Sequence, residues 1–303
     1  MRVLITGATN GMGLGVAEAL AGSGDPRHEV IFLGRDAERG AGLVHEVAGK
    51  TGNDSLSFIQ CDLTMLSDVK RAVGEIQTGY KSLDAIFVNA GLGYAPERRE
   101  TPDGMDPHFQ VNYLSHFLLV ISLLDQLEKS ESGGRVIFNA TPGGEIFWDD
   151  LQMKKKWHYE DGIHQAMVAK RMFLNKLNRL HRSKHGSKLS FVGYSISKTV
   201  WSNQINIIPG FMRFMATLMK LFGGFISVEE CGRIMAPLFE ESQDSSLEKS
   251  GKLITSRKGV FSELTEDESV LNPDLQDRLW DISLELCGDS GARMVSEQLH
   301  NEI

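Results

Sequence analysis

The chain opens on an apolar strand that runs into a glycine-rich turn and then a helix, and few arrangements restrict a fold more. Val3-Leu4-Ile5 is an apolar run of buried-strand type, and Thr6-Gly7-Ala8-Thr9-Asn10-Gly11-Met12-Gly13 follows it. Leu14, Val16, Ala17 and Leu20 then fall at helical spacing. Glycines at such a turn let the backbone approach a pyrophosphate. The anion then meets free N–H groups at the positive end of a helix dipole. Gly7, Thr9, Asn10, Gly11, Met12 and Gly13 are therefore expected to bind a dinucleotide.

The rest of the chain repeats the same alternation. Strands are expected at 2–6, 29–34, 57–61, 84–88, 135–139, 189–194 and 252–255. Helices are expected at 12–22, 36–49, 66–77, 105–129, 162–184, 227–240 and 273–287. Strands separated by amphipathic helices form βαβ units, so the expected fold is α/β: a doubly wound parallel sheet of Rossmann type in three α/β/α layers. With 303 residues, 41% of them hydrophobic, the chain suits one large domain, 1–303. Gly49 to Asp54 and Ser242 to Ser250 read as polar surface loops, and Lys154-Lys155-Lys156 as a solvated charge run.

The formal charge of −8 gives nucleic acid or an anionic membrane no reason to bind. The three cysteines, Cys61, Cys231 and Cys287, are scattered and odd in number, which suits free thiols in a reducing compartment. The first strand begins at residue 2, leaving no room for a leader, and no apolar run reaches about 18 residues. A cytoplasmic protein with no membrane span is the expectation.

Motifs in a fixed order resemble those of the short-chain dehydrogenase/reductase family. They are the turn TGATNGMG, Asp62-Leu63 after the third strand, Asn89-Ala90-Gly91 after the fourth, and Asn112 within Phe109-Gln110-Val111-Asn112-Tyr113. The resemblance covers most of the chain. It looks nearest to the retinol-dehydrogenase and 3-ketosteroid-reductase branch, through FQVNYLSHFLL and the long tail. It implies that Asp62 and Leu63 flank the adenine, that Asn89, Ala90 and Gly91 shape the cofactor pocket, and that Asn112 lies near the active site. Members of the family often dimerise or tetramerise, so the resemblance admits a homo-oligomer, although no surface legible here argues for one.

The second strand ends at Gly34-Arg35-Asp36. NAD-specific members place an acid at the strand end for the ribose hydroxyl. Here glycine stands in its place and Arg35 follows. A guanidinium suits a 2′-phosphate, which points to NADP(H). The bland alternative is a surface arginine paired with Asp36.

Family members carry a serine after the fifth strand and a YxxxK motif in the next helix. The one perfect match here, Tyr194-Ser195-Ile196-Ser197-Lys198, falls in the wrong place. A parallel crossover needs strand, helix, strand, and a helix opened by Tyr194 would meet Pro209 with no room for another strand. Residues 162–184 make the better helix, with Ile163, Ala166, Met167, Phe173, Leu174, Leu177 and Leu180 in an apolar stripe. In that register the family lysine is Lys170, the serine position is Thr141, and the tyrosine position is Ala166, which cannot transfer a proton. The candidate catalytic set is Thr141, Lys170, Asn112 and Tyr194. Tyr194, at the end of the sixth strand, either supplies a replacement phenol or packs there.

His164 reads as a solvated helix histidine. His181 and His185 have metal-compatible spacing but no carboxylate or cysteine partner, so no metal site is expected. The stretch 203–226 is rich in Phe and Met, including Phe211, Met212, Phe214, Met215, Met219 and Phe222. It reads as an adaptable cover over a small lipophilic substrate, with a dimer contact or a membrane-resting helix as alternatives. Residues 256–303 read as a C-terminal extension. The expected function is NADP(H)-dependent reduction or oxidation of a bulky lipophilic carbonyl or alcohol, such as a polyketide, terpenoid or sterol-like molecule of secondary metabolism, at an atypical site. A non-redox cyclisation, rearrangement or dehydration, or NADPH binding without catalysis, is the alternative.

Overall fold

The computed structural model describes residues 1–24, 27–184, 186–201, 209–221, 223–257 and 259–288. An eight-stranded sheet runs through its centre in the order β10-β9-β6-β5-β4-β1-β2-β3. Its members are β1 (Arg2–Thr6), β2 (Glu29–Gly34), β3 (Leu56–Gln60), β4 (Ala85–Val88), β5 (Arg135–Asn139), β6 (Ser190–Ser195), β9 (Leu253–Arg257) and β10 (Val260–Glu263). All neighbours pair in parallel except β10, which runs antiparallel to β9 at the edge. The strand order reverses between β1 and β4, and in open α/β sheets the crevice at such a reversal is where ligands bind.

Side chains alternate across each strand and feed two cores. Val3 and Ile5 point to one layer, built on α1 (Gly11–Ala21) and α9 (Val228–Glu240). Leu4 points to the other, built on α3 (Leu66–Gly79), α5 (Ser115–Ser122) and α7 (Tyr159–Ser183). α1 and α9 cross backbone to backbone. A Cβ on Gly15 would lie 2.1 Å from the Val228 carbonyl oxygen, and one on Gly232 would lie 2.0 Å from that of Gly15. Gly15→Ala must therefore push the helices apart. Overpacking of this kind costs about 3 kcal/mol. The calorimetric midpoint is expected to fall by about 5–10 °C; an unchanged midpoint would show the crossing to be loose.

The sequence reading differs from the structure in several places. The single helix expected at 105–129 is four pieces: α4 (Pro107–Phe109), a π-helical turn (Gln110–Leu114), α5 and α6 (Leu124–Glu128). Ser242 to Ser250 is not a loop but α10 (Gln243–Lys249), capped by Ser242, whose hydroxyl accepts from the Ser245 amide. α2 (Ala37–Thr51) extends into the loop expected at 49–54 and stops at Gly52, which takes a left-handed φ of 65°. A two-stranded sheet of β7 (Thr199–Val200) and β8 (Phe225–Ile226) was not legible in the sequence. Between these strands lies α8 (Gly210–Leu221). The C-terminal stretch is more than an appendage, because α12 (Pro273–Cys287) buries Leu279, Trp280 and Leu284 in the α7-side core. A short α11 (Glu268–Leu271) precedes it. His185, Phe222 and residues 203–208 and 289–303 lie outside the described residues.

Candidate active site

Thr6, the last residue of β1, is fully buried and ties the glycine turn to β4. Its hydroxyl donates to the Phe87 carbonyl at 3.2 Å and accepts from the backbone amides of Asn89 and Ala90 at 2.9 and 3.0 Å. Gly7 and Gly11 adopt φ of +67° and +58°, a region other residues enter only with strain. The turn is also tight. A Cβ on Gly13 would lie 2.4 Å from the Gly7 carbonyl oxygen, and one on Gly7 would lie 2.9 Å from Ala90 Cα. Asn10 stands at the N-cap of α1 in extended conformation without a side-chain cap. The Asn89 side-chain amide donates to the carbonyls of Thr6 (3.0 Å) and Gly7 (3.4 Å). The Asn89 Oδ1 atom lies 3.4 Å from Asn139 Nδ2, and the Asn139 carbonyl accepts from Lys170 Nζ at 2.9 Å. Hydrogen bonds thus run from the glycine turn across β4 and β5 to Lys170 on α7.

Lys170 is buried, and that burial pushes its pKa down from 10.5 to about 7. His116 lies in the same interior. Burial first, and the Lys170 charge second, push its pKa down to about 3, so it is a neutral imidazole. His116 Nε2 sits 3.0 Å from the Thr6 hydroxyl. Asn112 lies in the π-helical turn, a feature often found at functional sites. It braces the loop after β4, accepting from the Leu92 amide at 2.6 Å and donating to the Leu92 carbonyl at 3.0 Å. The Gly91 backbone passes close by, since a Cβ there would be 3.2 Å from Asn112 Oδ1. Thr141 is half-buried just beyond β5. Ala166 is fully buried one turn before Lys170 on α7.

The loop from 140 to 158 lies against the first half of α7. Gln165 accepts from the Phe147 amide at 2.9 Å and donates to the Leu151 carbonyl at 3.0 Å. Arg171 donates to the Gly143 carbonyl at 2.7 Å and pairs with Glu266 at 2.7 Å. Lys154, Lys155 and Lys156 are exposed, and their backbone amides cap the Asp150 carboxylate, which holds its pKa below the usual range.

Tyr194 does not join this group, and the reason is strand parity. Phe191 and Gly193 of β6 face α7, so Tyr194 faces the opposite core, where its ring lies 6.3 Å from Phe261. Burial pushes its pKa up to about 12. It is a packing residue on the far side of the sheet, which corrects its placement among the catalytic candidates. Lys198 is exposed and donates to the Gly223 carbonyl at 2.8 Å. The apparent YxxxK match therefore spans a strand end and a turn.

At the end of β2, Arg35 is exposed, and a second arginine, Arg39, donates to the Thr9 carbonyl at 3.1 Å. The Arg39 guanidinium thus reaches the glycine turn, and Arg35 stands exposed at the end of β2, where Gly34 takes the place of an acid. Asp62 Oδ1 caps Thr64, accepting from its amide at 2.9 Å and its hydroxyl at 2.8 Å. Leu63 is buried, and its carbonyl accepts from Ser115 at 2.7 Å. Sequence reasoning missed Thr6, His116, Asn139, Arg39 and Gln165. Arg39 and His116 had a signal, each lying four residues beyond a residue already singled out, in the case of His116 one turn along the same helical run.

Among the described residues no group of three or more His, Cys, Asp or Glu is placed to hold a metal ion. His164 is exposed, and His181 is buried with Nδ1 3.9 Å from Glu128. No helix among the described residues is long and apolar enough to cross a membrane.

Comparison with known proteins agrees with this fold. Residues 1–148 match the family model of the short chain dehydrogenases. Human polyprenol dehydrogenase is 32% identical over 183 residues, 58% of this chain and 54% of that protein. The chain thus spans about half the length of the polyprenol dehydrogenases it matches. Mouse retinol dehydrogenase 12 is 26% identical over 291 residues, 94% of this chain and 86% of its own. An uncharacterised protein of Mycobacterium paratuberculosis shares the fold with a TM-score of 0.67 at 22% identity, over 95% of this chain and 93% of that one. The NADP complex of RhlG from Pseudomonas aeruginosa has a TM-score of 0.63 at 19% identity, over 84% and 93%. These matches support a member of the short-chain dehydrogenase/reductase family near its retinol dehydrogenase branch.

Proposed function

We propose that the protein is an NADP(H)-dependent oxidoreductase acting on a bulky lipophilic carbonyl or alcohol, at a site that lacks the family's phenolic proton donor. The observation that carries this is the hydrogen-bonded path from the glycine turn through Asn89 and Asn139 to Lys170. It supports the reading because it holds the glycine turn and Lys170 in one frame. The residues present suit the cofactor: a turn too tight for side chains, Lys170 for the nicotinamide ribose, Asp62 and Leu63 at the adenine, and Arg35 with Arg39 for a 2′-phosphate. NADP(H) supplies the hydride donor or acceptor when bound. Thr141 offers a hydroxyl to hydrogen-bond the substrate oxygen, and Asn112 holds the loop beside it. Polyprenol and retinol, named for two relatives, are lipophilic alcohols, which supports the substrate class. The test is turnover of such an alcohol or its carbonyl with stoichiometric change in NADPH absorbance. Product without NADPH change would favour the second reading, a non-redox cyclisation, rearrangement or dehydration. Ala166 at the tyrosine position is what favours it.

Cofactor choice is expected to follow the arginines. A charge-assisted hydrogen bond contributes roughly 1.5–3 kcal/mol, so Arg35→Ala should weaken NADPH binding about 10- to 100-fold. NADH binding should barely change. Equal losses for both cofactors by calorimetry would remove Arg35 from the phosphate site.

The cover over the substrate is assigned to the methionine face of α8, Met212, Met215 and Met219. Met215→Asp should raise KM for a lipophilic substrate at least about tenfold, the cost of setting a charge against an apolar ligand. NADPH affinity should hold. A parallel fall in both would make α8 a structural element only.

A further inference from the structure

We propose that α8 is a membrane-docking helix that rests on an anionic lipid surface. Its apolar side chains are unusually exposed for so short an element: Phe211, Phe214 and Leu221 at 76, 60 and 77%, and Met212, Met215 and Met219 at 41, 43 and 54%. Its one buried side chain is Ala216, still 9% exposed. At 100° per residue, Phe211, Phe214 and Leu221 occupy the arc turned away from Ala216, and the three methionines lie between. The methionine arc thus faces the substrate side, on the reading given above, and the Phe/Leu arc faces outward. A contiguous exposed patch of this kind marks an interaction surface.

Charge decides what that surface meets. The polar arc of α8 carries Arg213, Thr217 and Lys220, and the helix has no acidic residue. The absence is wider than the helix: no Asp or Glu occurs between Asp161 and Glu229, although the chain as a whole carries −8. Lys198 sits at the foot of the segment, bonded to Gly223, and Lys220 lies 4.1 Å from the Trp201 ring centroid. Trp201 in turn packs on Phe225 at 5.2 Å. Phe and Leu on one arc, Lys and Arg on the other, and a Trp at the base are the elements of a helix lying in the headgroup plane. A second copy of the chain fits less well. In a two-fold contact Arg213 and Lys220 would meet their own counterparts with no acid from this segment to pair them. The lipid assignment rests on the lipophilic-substrate reading only for its purpose, since such a substrate would reach the site from the bilayer.

The test is co-sedimentation of the full chain with vesicles of phosphatidylcholine alone or with 30% phosphatidylserine. The chain should pellet with the anionic vesicles and release at high salt. F211D/F214D should lower that binding about 100-fold, since two buried aromatic side chains are lost from it. R213Q/K220Q should lower it about tenfold on anionic vesicles and leave the weak binding to neutral ones unchanged. An unchanged thermal midpoint confirms that each variant is folded. Failure to bind either vesicle overturns the proposal. So does a concentration-dependent dimer that F211D/F214D abolishes while vesicle binding is absent. Neither outcome bears on turnover of a detergent-solubilised substrate, which tests the oxidoreductase reading separately.

Discussion

Turnover of a simple ketone with NADPH is expected to run about 10²–10⁴-fold below that of a family member with the tyrosine, because a positioned proton donor is worth that much in rate. On the register proposed above Ala166 takes the place of that donor, and Tyr194 lies on the other face of the sheet. Lys170 and the glycine turn remain in place, so cofactor binding should be ordinary while the chemical step is slow. Ala166→Tyr should recover part of the loss. The recovery is limited because Ala166 is fully buried in the α7-side core. A phenol needs room, and the 140–158 loop, tied to α7 through Gln165 and Arg171, must give it. The variant should therefore reduce generic ketones faster and melt lower, by the amount overpacking costs. No rate gain with NADPH affinity intact would favour the non-redox reading. Fast ketone reduction by the unaltered chain would show that another group supplies the proton.

The second large effect concerns Lys170. Burial lowers its pKa from 10.5 to about 7. Between those values the unfolded chain carries a proton there that the folded chain lacks, so this group's contribution to stability rises with pH from about 7 to about 10.5 and is lost as pH falls back to 7. From pH 7 to pH 9 the gain is about 2 kcal/mol at 1.36 kcal/mol per pH unit, discounted for the incomplete titration at its lower end. Lys170→Met should flatten that slope, measured by urea denaturation at the two pH values. It should also make the cofactor-free protein more stable at pH 7, because a buried ammonium is replaced by an apolar side chain of similar length. The same variant should bind NADPH at least about tenfold more weakly, having lost a hydrogen-bond donor to the ribose. A parallel pH dependence in both proteins would move the titration elsewhere.

The parallel strands and the principal helices were legible because each is buried on one or both faces, which leaves a period of two or of 3.6 in the apolar residues. The crossover rule was enough to place Tyr194 on a strand and Lys170 on a helix. Features that depend on partners distant in sequence were not legible. The π-helical turn at Gln110–Leu114 leaves the apolar pattern continuous, so 105–129 read as one helix. α10 is too short and polar to show a stripe, although Ser242 is a good N-cap residue. Tyr194 was ambiguous because a strand end does not reveal which core its side chain enters until the neighbouring strands are in register. Thr6 is a common residue at a strand end, and only the closure of β1 against β4 makes it a junction of three hydrogen bonds.

The glycine crossing of α1 and α9 has a mechanical side. A contact between bare backbones has no rotamers to exchange, so it resists sliding and rolling more than a contact between side chains does. α9 begins at Val228, inside that crossing, and is therefore clamped to the same helix that presents the cofactor turn. α8 ends at Leu221, and the chain passes Gly223, at φ +74°, and Gly224 before β8 re-enters the fold. The Gly223 amide donates to the Lys220 carbonyl at 3.1 Å and the Gly224 amide to the Met219 carbonyl at 2.9 Å, so these two glycines close the end of α8. The chain that leaves α8 is thus anchored at its far end to the helix that follows the glycine turn, so any displacement of α8 meets a stiff backbone contact before it can reach that turn.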